Sequence, residues 1–204
     1  MNQHHSDSSF GTSIIYEDRL PLSVAYYPTE PESGELLRVG VQNDDVLRMV
    51  LSLDEASAAG KTDEGEHSAE MQRLEFKVNL MMEMLGELYS QNMQFPDPVP
   101  VKLGAYSASW MVDESETLPA IGSYLALSVY LSRRYPRPLV LFAQVSNIIE
   151  VPVGGVVNPE SFSPTMEAWI EADFLSMPQQ TLDTLERFVF RQHRRFVAFS
   201  RRKS

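Results

Sequence analysis

Apolar positions repeat in two different periods along this chain. From Met71 to Leu88, the residues Met71, Leu74, Val78, Met81, Leu85 and Leu88 recur at alternating steps of three and four. That is the a/d spacing of a coiled-coil seam. Much of the remaining chain alternates or carries short runs of β-forming residues. Ser13–Tyr27 reads as a first strand region, broken near Pro21 and closed by Pro28. Val99–Val112, Gly122–Leu131 and Leu139–Val153 follow, the last two joined as a hairpin by the turn Arg133–Pro138. A final strand covers about Met166–Met177. It sets Trp169, Glu171, Asp173 and Leu175 on one face and Ala168, Ile170, Ala172 and Phe174 on the other.

Helical signals fall between and after these strands. Residues 28–34 read as a loop, and Asn43 is placed to cap a short helix through Leu53, with Asp44 and Asp45 at its positive end. Val46, Val50 and Leu53 give that helix one face, with Leu47 and Leu51 beside them. Residues 54–67 lack apolar bulk and predict a flexible connection. Ser68 then caps the main helix, which stops near Asn92 ahead of Phe95-Pro96-Asp97-Pro98. At about 1.5 Å per residue it is about 36 Å long. Pro178 or Thr181 opens a terminal helix to about Phe199, with Leu182, Leu185, Val189, Phe196 and Phe199 along one side. Residues 1–11 are a polar, disordered lead. Hairpins without βαβ alternation predict a small closed barrel or a curled sheet. Residues 12–204 form one domain, with a helical insertion at about 43–92.

The main helix also carries Phe76, Leu80 and Met84 at steps of four, a second stripe beside the seam. Most amphipathic helices lay one stripe on their own sheet. A helix apolar on two sides has to be covered twice, for example once by its own domain and once by another chain. Gln72, Asn79 and Gly86 at intervening positions suit a closely packed bundle, and Met81, Met82 and Met84 are adaptable packing residues rather than a metal box. The seam is therefore the candidate self-assembly site.

Charge changes the picture at one end only. The chain of 204 residues has a net charge of −11, which disfavours nucleic acid and anionic membrane surfaces as partners. Residues 187–204 oppose that balance: Arg187, Arg191, Arg194, Arg195, Arg201, Arg202 and Lys203 give +7 with no acid, leaving −18 for the rest. Cations near a helix C-terminus are favoured by the helix dipole. Their unbroken sign equally suits docking to an acidic partner, a phosphorylated ligand or the acidic surface of an oligomer, with Arg191, Arg194, Arg195, Arg201 and Arg202 as candidates. Absent cysteines exclude disulfides and thiolate metal sites and fit a reducing compartment. The lead lacks an apolar signal core, and no apolar run is long enough to cross a bilayer, so a cytoplasmic location without membrane insertion is expected.

Candidate chemistry is sparse. Of the four histidines, His4 and His5 lie in the lead, His67 in the flexible connection, and His193 among Gln192 and Arg194. His4-His5 could bind a metal weakly but suit a solvated tail better, His193 has no carboxylate at metal-ligand spacing, and the set offers no good general base to a Ser or Thr nucleophile. Asp113, Glu114 and Glu116 read as a charged hairpin loop rather than paired catalytic carboxylates. Gly154-Gly155 lacks the lysine or helix start of a phosphate cradle. No enzyme, metal site or bound cofactor is expected.

With these elements in place, the chain resembles the PilZ family, and within it the atypical, tetramer-forming branch whose long helices are inserted into the β-barrel. The segments carrying the resemblance are RLEFKVNLMMEMLGELYSQ (73–91), PVPVKLGAYSASW (98–110), SYLALSVYLSRRYPRPLVLFAQV (123–145) and TLERFVFRQHRR (184–195). It implies an antiparallel barrel of about six strands with two inserted helices and a C-terminal helix, α+β overall, assembled as a homo-oligomer, a tetramer. The family's ligand is cyclic di-GMP, held by an R-x-x-x-R stretch before the first strand and a D/N-x-S-x-x-G turn beside the barrel mouth. Here the first stretch offers only Arg19, with Ser23 four residues on. The second is Ala105-Tyr106-Ser107-Ala108-Ser109-Trp110, which keeps Ser107 without the acid, the amide or the glycine. Loss of bidentate arginine contacts, on the order of 1–3 kcal/mol each, weakens a micromolar binder by about a hundredfold. Trp110 in place of glycine is expected to block close approach of the ligand.

The expected function is a non-enzymatic adaptor or scaffold in cyclic di-GMP-linked regulation of motility, surface behaviour or virulence, with a degraded nucleotide site. The alternative is a cyclic di-GMP receptor with a non-standard site, Arg19 and Ser107 being remnants and the terminal arginines supplying charge. A third reading is a protein-interaction module whose basic tail docks an as yet unknown acidic partner.

Overall fold

The computed structural model describes residues 14–59, 69–92, 95–113, 118–152 and 166–200. The lead 1–11, His4, His5, His67, Glu114, Glu116, Gly154, Gly155, Arg201, Arg202 and Lys203 lie outside these residues. In chain order the elements are β1 (Tyr16–Tyr27), α1 (Ser33–Ala59), α2 (Ala69–Asn92), β2 (Pro98–Leu103), β3 (Ser107–Asp113), β4 (Tyr124–Val129), β5 (Leu139–Pro152), β6 (Met166–Phe174) and α3 (Gln179–Ser200).

The strands close into an antiparallel barrel in the order β1-β2-β3-β6-β5-β4. Closure leaves no continuous open edge, and two long strands achieve it by changing partners midway. The first half of β1 pairs with β2 and the second half with β4. Pro21 stands at that changeover, where its carbonyl accepts Tyr130 N–H at 3.0 Å and its missing N–H costs no ladder bond. The expected break near Pro21 is therefore a change of neighbour within one strand. β5 pairs first with β4 and then with β6, with a register shift between Val145 and Asn147, the extra residue that lets a strand bend. Residues 99–112 are two strands, β2 and β3, turned at Gly104–Tyr106 where Gly104 N–H meets Ser107 O at 2.9 Å.

Alternating residues of each strand fill the barrel. Val101, Leu103, Ala108, Trp110, Leu125, Leu127, Leu141, Ala143, Ile170 and Ala172 are all buried in one cluster. The two faces of β6 divide as its alternation predicts, Ala168, Ile170 and Ala172 pointing into that cluster. Val46, Leu47, Val50 and Leu51 of α1 join it, as do Leu185, Phe188 and Val189 of α3, with Tyr16 edge-on to Phe188 at 5.7 Å. The first turns of α1 lie instead on the outside of β4 and β5, where Val39 packs with Ala126 and Phe142.

α1 begins ten residues earlier than expected, at Ser33 rather than Asn43. Gly34 and Gly40 obscure the helix in the sequence, because glycine is a poor helix former. Gly40 is there for contact: a Cβ at this position would stand 2.4 Å from Cδ of Pro178. That close crossing lets Thr181 Oγ donate to Gly40 O at 3.0 Å, so Thr181 ties α3 to α1 and does not cap α3. Asn43 likewise is no cap. It is buried mid-helix, where its side-chain amide donates to Val140 O at 2.7 Å and its side-chain oxygen accepts Val140 N–H at 2.9 Å. β6 pairs with β5 only from Ala143 onward, so Asn43 substitutes for a neighbouring strand along β5.

Candidate functional site

The least covered element is α2. Met71, Leu74, Val78, Met81, Leu85 and Leu88 are 47–62 % exposed, and Phe76, Leu80 and Met84 are 45–68 % exposed. Among the described residues of this helix, Met82 is half-buried and Gly86 is buried. Gly86 marks where α2 meets the body of the protein: a Cβ there would sit 3.2 Å from Arg134 O and 3.4 Å from Arg133 O. The expectation that one stripe lies on the chain's own sheet is thus corrected. Both stripes face outward, because α2 stands on the turn after β4 instead of lying along the barrel. So many large apolar side chains on one exposed helix exceed what an isolated soluble surface ordinarily shows.

A second candidate is the outer face of β2, β3 and β6, which carries Ser107. Cross-strand register aligns Lys102, Ser109 and Glu171 in one row and Ser107 with Asp173 in the next. Lys102 lies over the Trp169 ring, 4.7 Å from its centroid. Ser107, Ser109 and Glu171 are buried, and Asn147 donates to the Glu171 carboxylate at 3.2 Å. Beyond the turn, the Tyr106 hydroxyl donates to Glu186 at 2.7 Å, and that hydrogen bond to a carboxylate raises the phenol pKa. Trp110 does not obstruct this face. It alternates inward and is 2 % exposed, and its indole N–H has no partner among the described residues.

Arg19 and Ser107 share the outer surface but do not converge. Arg19 pairs with Pro100 on β2, whereas Ser107 stands level with Gly104 on the far side of that strand. Four positions and two strand spacings separate them by roughly 16 Å, at about 3.3 Å per residue and 4.8 Å per strand. The Arg19 guanidinium donates to Pro98 O at 2.9 Å, so it is turned along its own barrel wall.

The basic face of α3 is engaged within the chain. Arg187 pairs with Glu55 at 3.3 Å, and Arg191 pairs with the same carboxylate. Arg195 pairs with Asp54 at 2.6 Å and also donates to its carbonyl at 3.2 Å, while Gln192 donates to the Asp54 carboxylate at 2.7 Å. His193 Nδ1 lies 2.9 Å from Ile15 O, and Arg194 lies over the Phe190 ring at 5.8 Å. Of the docking candidates among the described residues, Arg191 and Arg195 thus clasp α3 to the end of α1, and Arg194 faces outward. The acceptors Asp54 and Glu55 fall in what the sequence predicts as a flexible connection, and nothing in the sequence signals a pairing across 132 to 141 residues. Among the described residues, no group of three or more His, Cys, Asp or Glu is placed to hold a metal ion, and no helix is long and apolar enough to cross a membrane.

A closed six-stranded antiparallel barrel with an inserted long helix and a terminal helix packed on its core defines a PilZ-like barrel with helical additions. Residues 46–202 match the family described as atypical PilZ domain, cyclic di-GMP receptor, and the chain belongs to that family. Among solved structures it is similar to a pathogenic protein of Xanthomonas campestris, described as a new tetrameric PilZ domain self-assembled via an unusual helical bundle. The two share 21 % identity over 93 % of each chain, with a TM-score of 0.68, a likeness of fold. The PilZ domain of Escherichia coli YcgR with c-di-GMP shares 14 % identity over 50 % of this chain and 76 % of that one, with a TM-score of 0.39, too distant to support an argument. No curated protein matches the chain.

Proposed function

We propose that this protein is a non-enzymatic, self-assembling adaptor of the PilZ family. It would act in the cytoplasm within cyclic di-GMP-linked regulation of motility, surface behaviour or virulence. The observation that carries this reading is the double apolar ridge of α2, uncovered in a single copy of the chain. Covering the exposed half of the six seam side chains contributes roughly 5–9 kcal/mol per protomer before association entropy, at about 1.5–3 kcal/mol for full burial of each. A single seam is satisfied by a two-stranded coil, but two stripes give each helix two covered sides, as in a closed bundle of several copies. The tetramer described for the Xanthomonas protein supports four.

The degraded nucleotide site is supported by what surrounds Ser107. Asp173, exposed, stands directly across from it, so a phosphodiester approaching Ser107 meets a like charge, while Lys102 of the next row lies over the Trp169 ring. Each such pair at about 6 Å costs on the order of 1–3 kcal/mol between aqueous and protein-surface dielectric. Arg19, too far away and held to Pro98 O, gives no compensating cation.

Light scattering of Leu74→Glu/Leu85→Glu against the parent chain tests the assembly. The parent is expected near four times its 23.1 kDa and the variant at lower mass; equal masses refute the role of the ridge. The family description as a receptor favours a second reading, direct cyclic di-GMP binding at a non-standard site. Calorimetry with the nucleotide at low salt separates the two, a saturable isotherm at one or two ligands per chain being the receptor's signature.

A further inference from the structure

The outer face of β3, β6 and the second half of β5 carries an apolar row. Met111, Trp169 and Ile149 stand opposite one another in register. Their neighbours Val112, Ala168 and Ile170 point into the barrel, so the row points out, half-buried. Val151 follows at the next outward position of β5 and is exposed. α1 packs on the first half of β5 and α3 on β1, and among the described residues no helix lies along β3 or β6. Acids frame the row. Glu167 stands opposite Val151 on one side of Trp169, and Asp173 lies on the same strand beyond Glu171. Neither Glu167 nor Asp173 has an ion-pair partner among the described residues. The cation beside them, Lys102, is drawn over the Trp169 ring.

A surface of opposite character lies on α3. Arg187, Arg191 and Arg195 are neutralised by Glu55 and Asp54. Arg194 is exposed, has no acid partner among the described residues, and stacks on Phe190, itself exposed. Exposed Tyr106 extends the patch, because its hydroxyl bonds Glu186 one turn before Phe190. The sequence beyond keeps the same sign in Arg201, Arg202 and Lys203. Aromatic residues, methionine and arginine are the types that interfaces concentrate.

These two patches cannot meet within one copy. β6 is three strands from β1 in either direction around the closed barrel, whereas His193 holds the Arg194 stretch of α3 2.9 Å from Ile15 O at the head of β1.

We propose that the Phe190–Arg194 patch of one copy docks on the Trp169 face of a second copy. Phe190 packs against Met111, Ile149 and the indole edge, and Arg194 pairs with Glu167. The two surfaces differ, so the contact is heterologous: it repeats head to tail and either closes as a ring or continues as an open chain. It goes beyond the α2 ridge and does not require it; on a tetramer it links tetramers into a larger scaffold.

Light scattering of the full chain at high protein concentration, across a salt series, tests the proposal. The parent is expected to exceed its salt-stable assembly at low salt and to fall to it as exposed pairs are screened. The Leu74→Glu/Leu85→Glu background separates the two contacts: its mass should still rise above one chain at low salt. Glu167→Lys or Arg194→Glu should each weaken the salt-sensitive association about tenfold, an attraction becoming a repulsion. The two together reverse the pair and should restore it. Trp169→Ala removes the anchor without a charge and should weaken association at every salt concentration. A mass independent of salt, single reversals without effect, or a swap that does not rescue overturns the proposal. Circular dichroism melts confirm that each variant is folded, and Arg194→Glu, at an exposed helical position, carries the test alone should a β6 variant fail to fold.

Discussion

Replacing Asn43 should show how the barrel tolerates an incomplete strand pairing. Val140 is in register with Ser128 of β4, yet its own N–H and C=O both bond the Asn43 side chain at 2.9 and 2.7 Å. They therefore point away from β4, into the stretch that β6 does not reach. Asn43→Ala strips partners from one donor and one acceptor beneath a helix where Asn43 itself is 4 % exposed. Each buried orphan costs about 1–3 kcal/mol, so the loss should be roughly 2–6 kcal/mol, or about 4–24 °C in Tm for a domain of this size. Asn43→Asp adds a sign test. A carboxylate still accepts Val140 N–H, but its second oxygen faces the Val140 carbonyl, and burial with this repulsion raises its pKa in the folded state. The penalty should therefore set in as pH rises above the unfolded value of about 3.9 and fade on acidification. Thermal melts by circular dichroism across pH 4–8, corrected for the parent's own pH dependence, read both variants. An Asn43→Ala variant within about 1 kcal/mol of the parent would refute the strand-substitute role.

Two further outcomes follow from the electrostatics. Tyr16 has its pKa raised, first by burial and then by its hydrogen bond to Asp18; the folded state resists ionisation, so the stability it contributes is present below the unfolded value of about 10 and is lost as pH rises beyond it. Tyr16→Phe should flatten the decline of stability above pH 10, seen by denaturant titration, and an unchanged slope would discount this group. The clasp of α1 on α3 should rest on Asp54 more than on Glu55. Asp54→Ala, removing a half-buried carboxylate bonded to Arg195 and Gln192, is expected to cost about 1–2 kcal/mol, whereas Glu55→Ala, at an exposed pair, should cost under about 1 kcal/mol; equal losses in denaturant melts would contradict the geometry.

The sequence alone determined everything that local pattern encodes. The seam at 71–88 fixed α2 as a helix, and alternation in β6 assigned Ala168, Ile170 and Ala172 inward and Glu171 and Asp173 outward, as the structure has them. Hairpin signals and the family resemblance indicated an antiparallel barrel. The tertiary structure decided which faces meet. Gly40 admits the close crossing of Pro178, which no local pattern announces, and Asn43, a cap by its sequence position, instead serves Val140. Trp110 looked like an obstacle until β3 pointed it into the barrel. The arginines of α3 read as a docking surface because their acceptors, Asp54 and Glu55, lie 132 to 141 residues away. Periodicity is a property of neighbours along the chain, whereas charge neutralisation, close approach and partner exchange between strands depend on loop closures that no local pattern records.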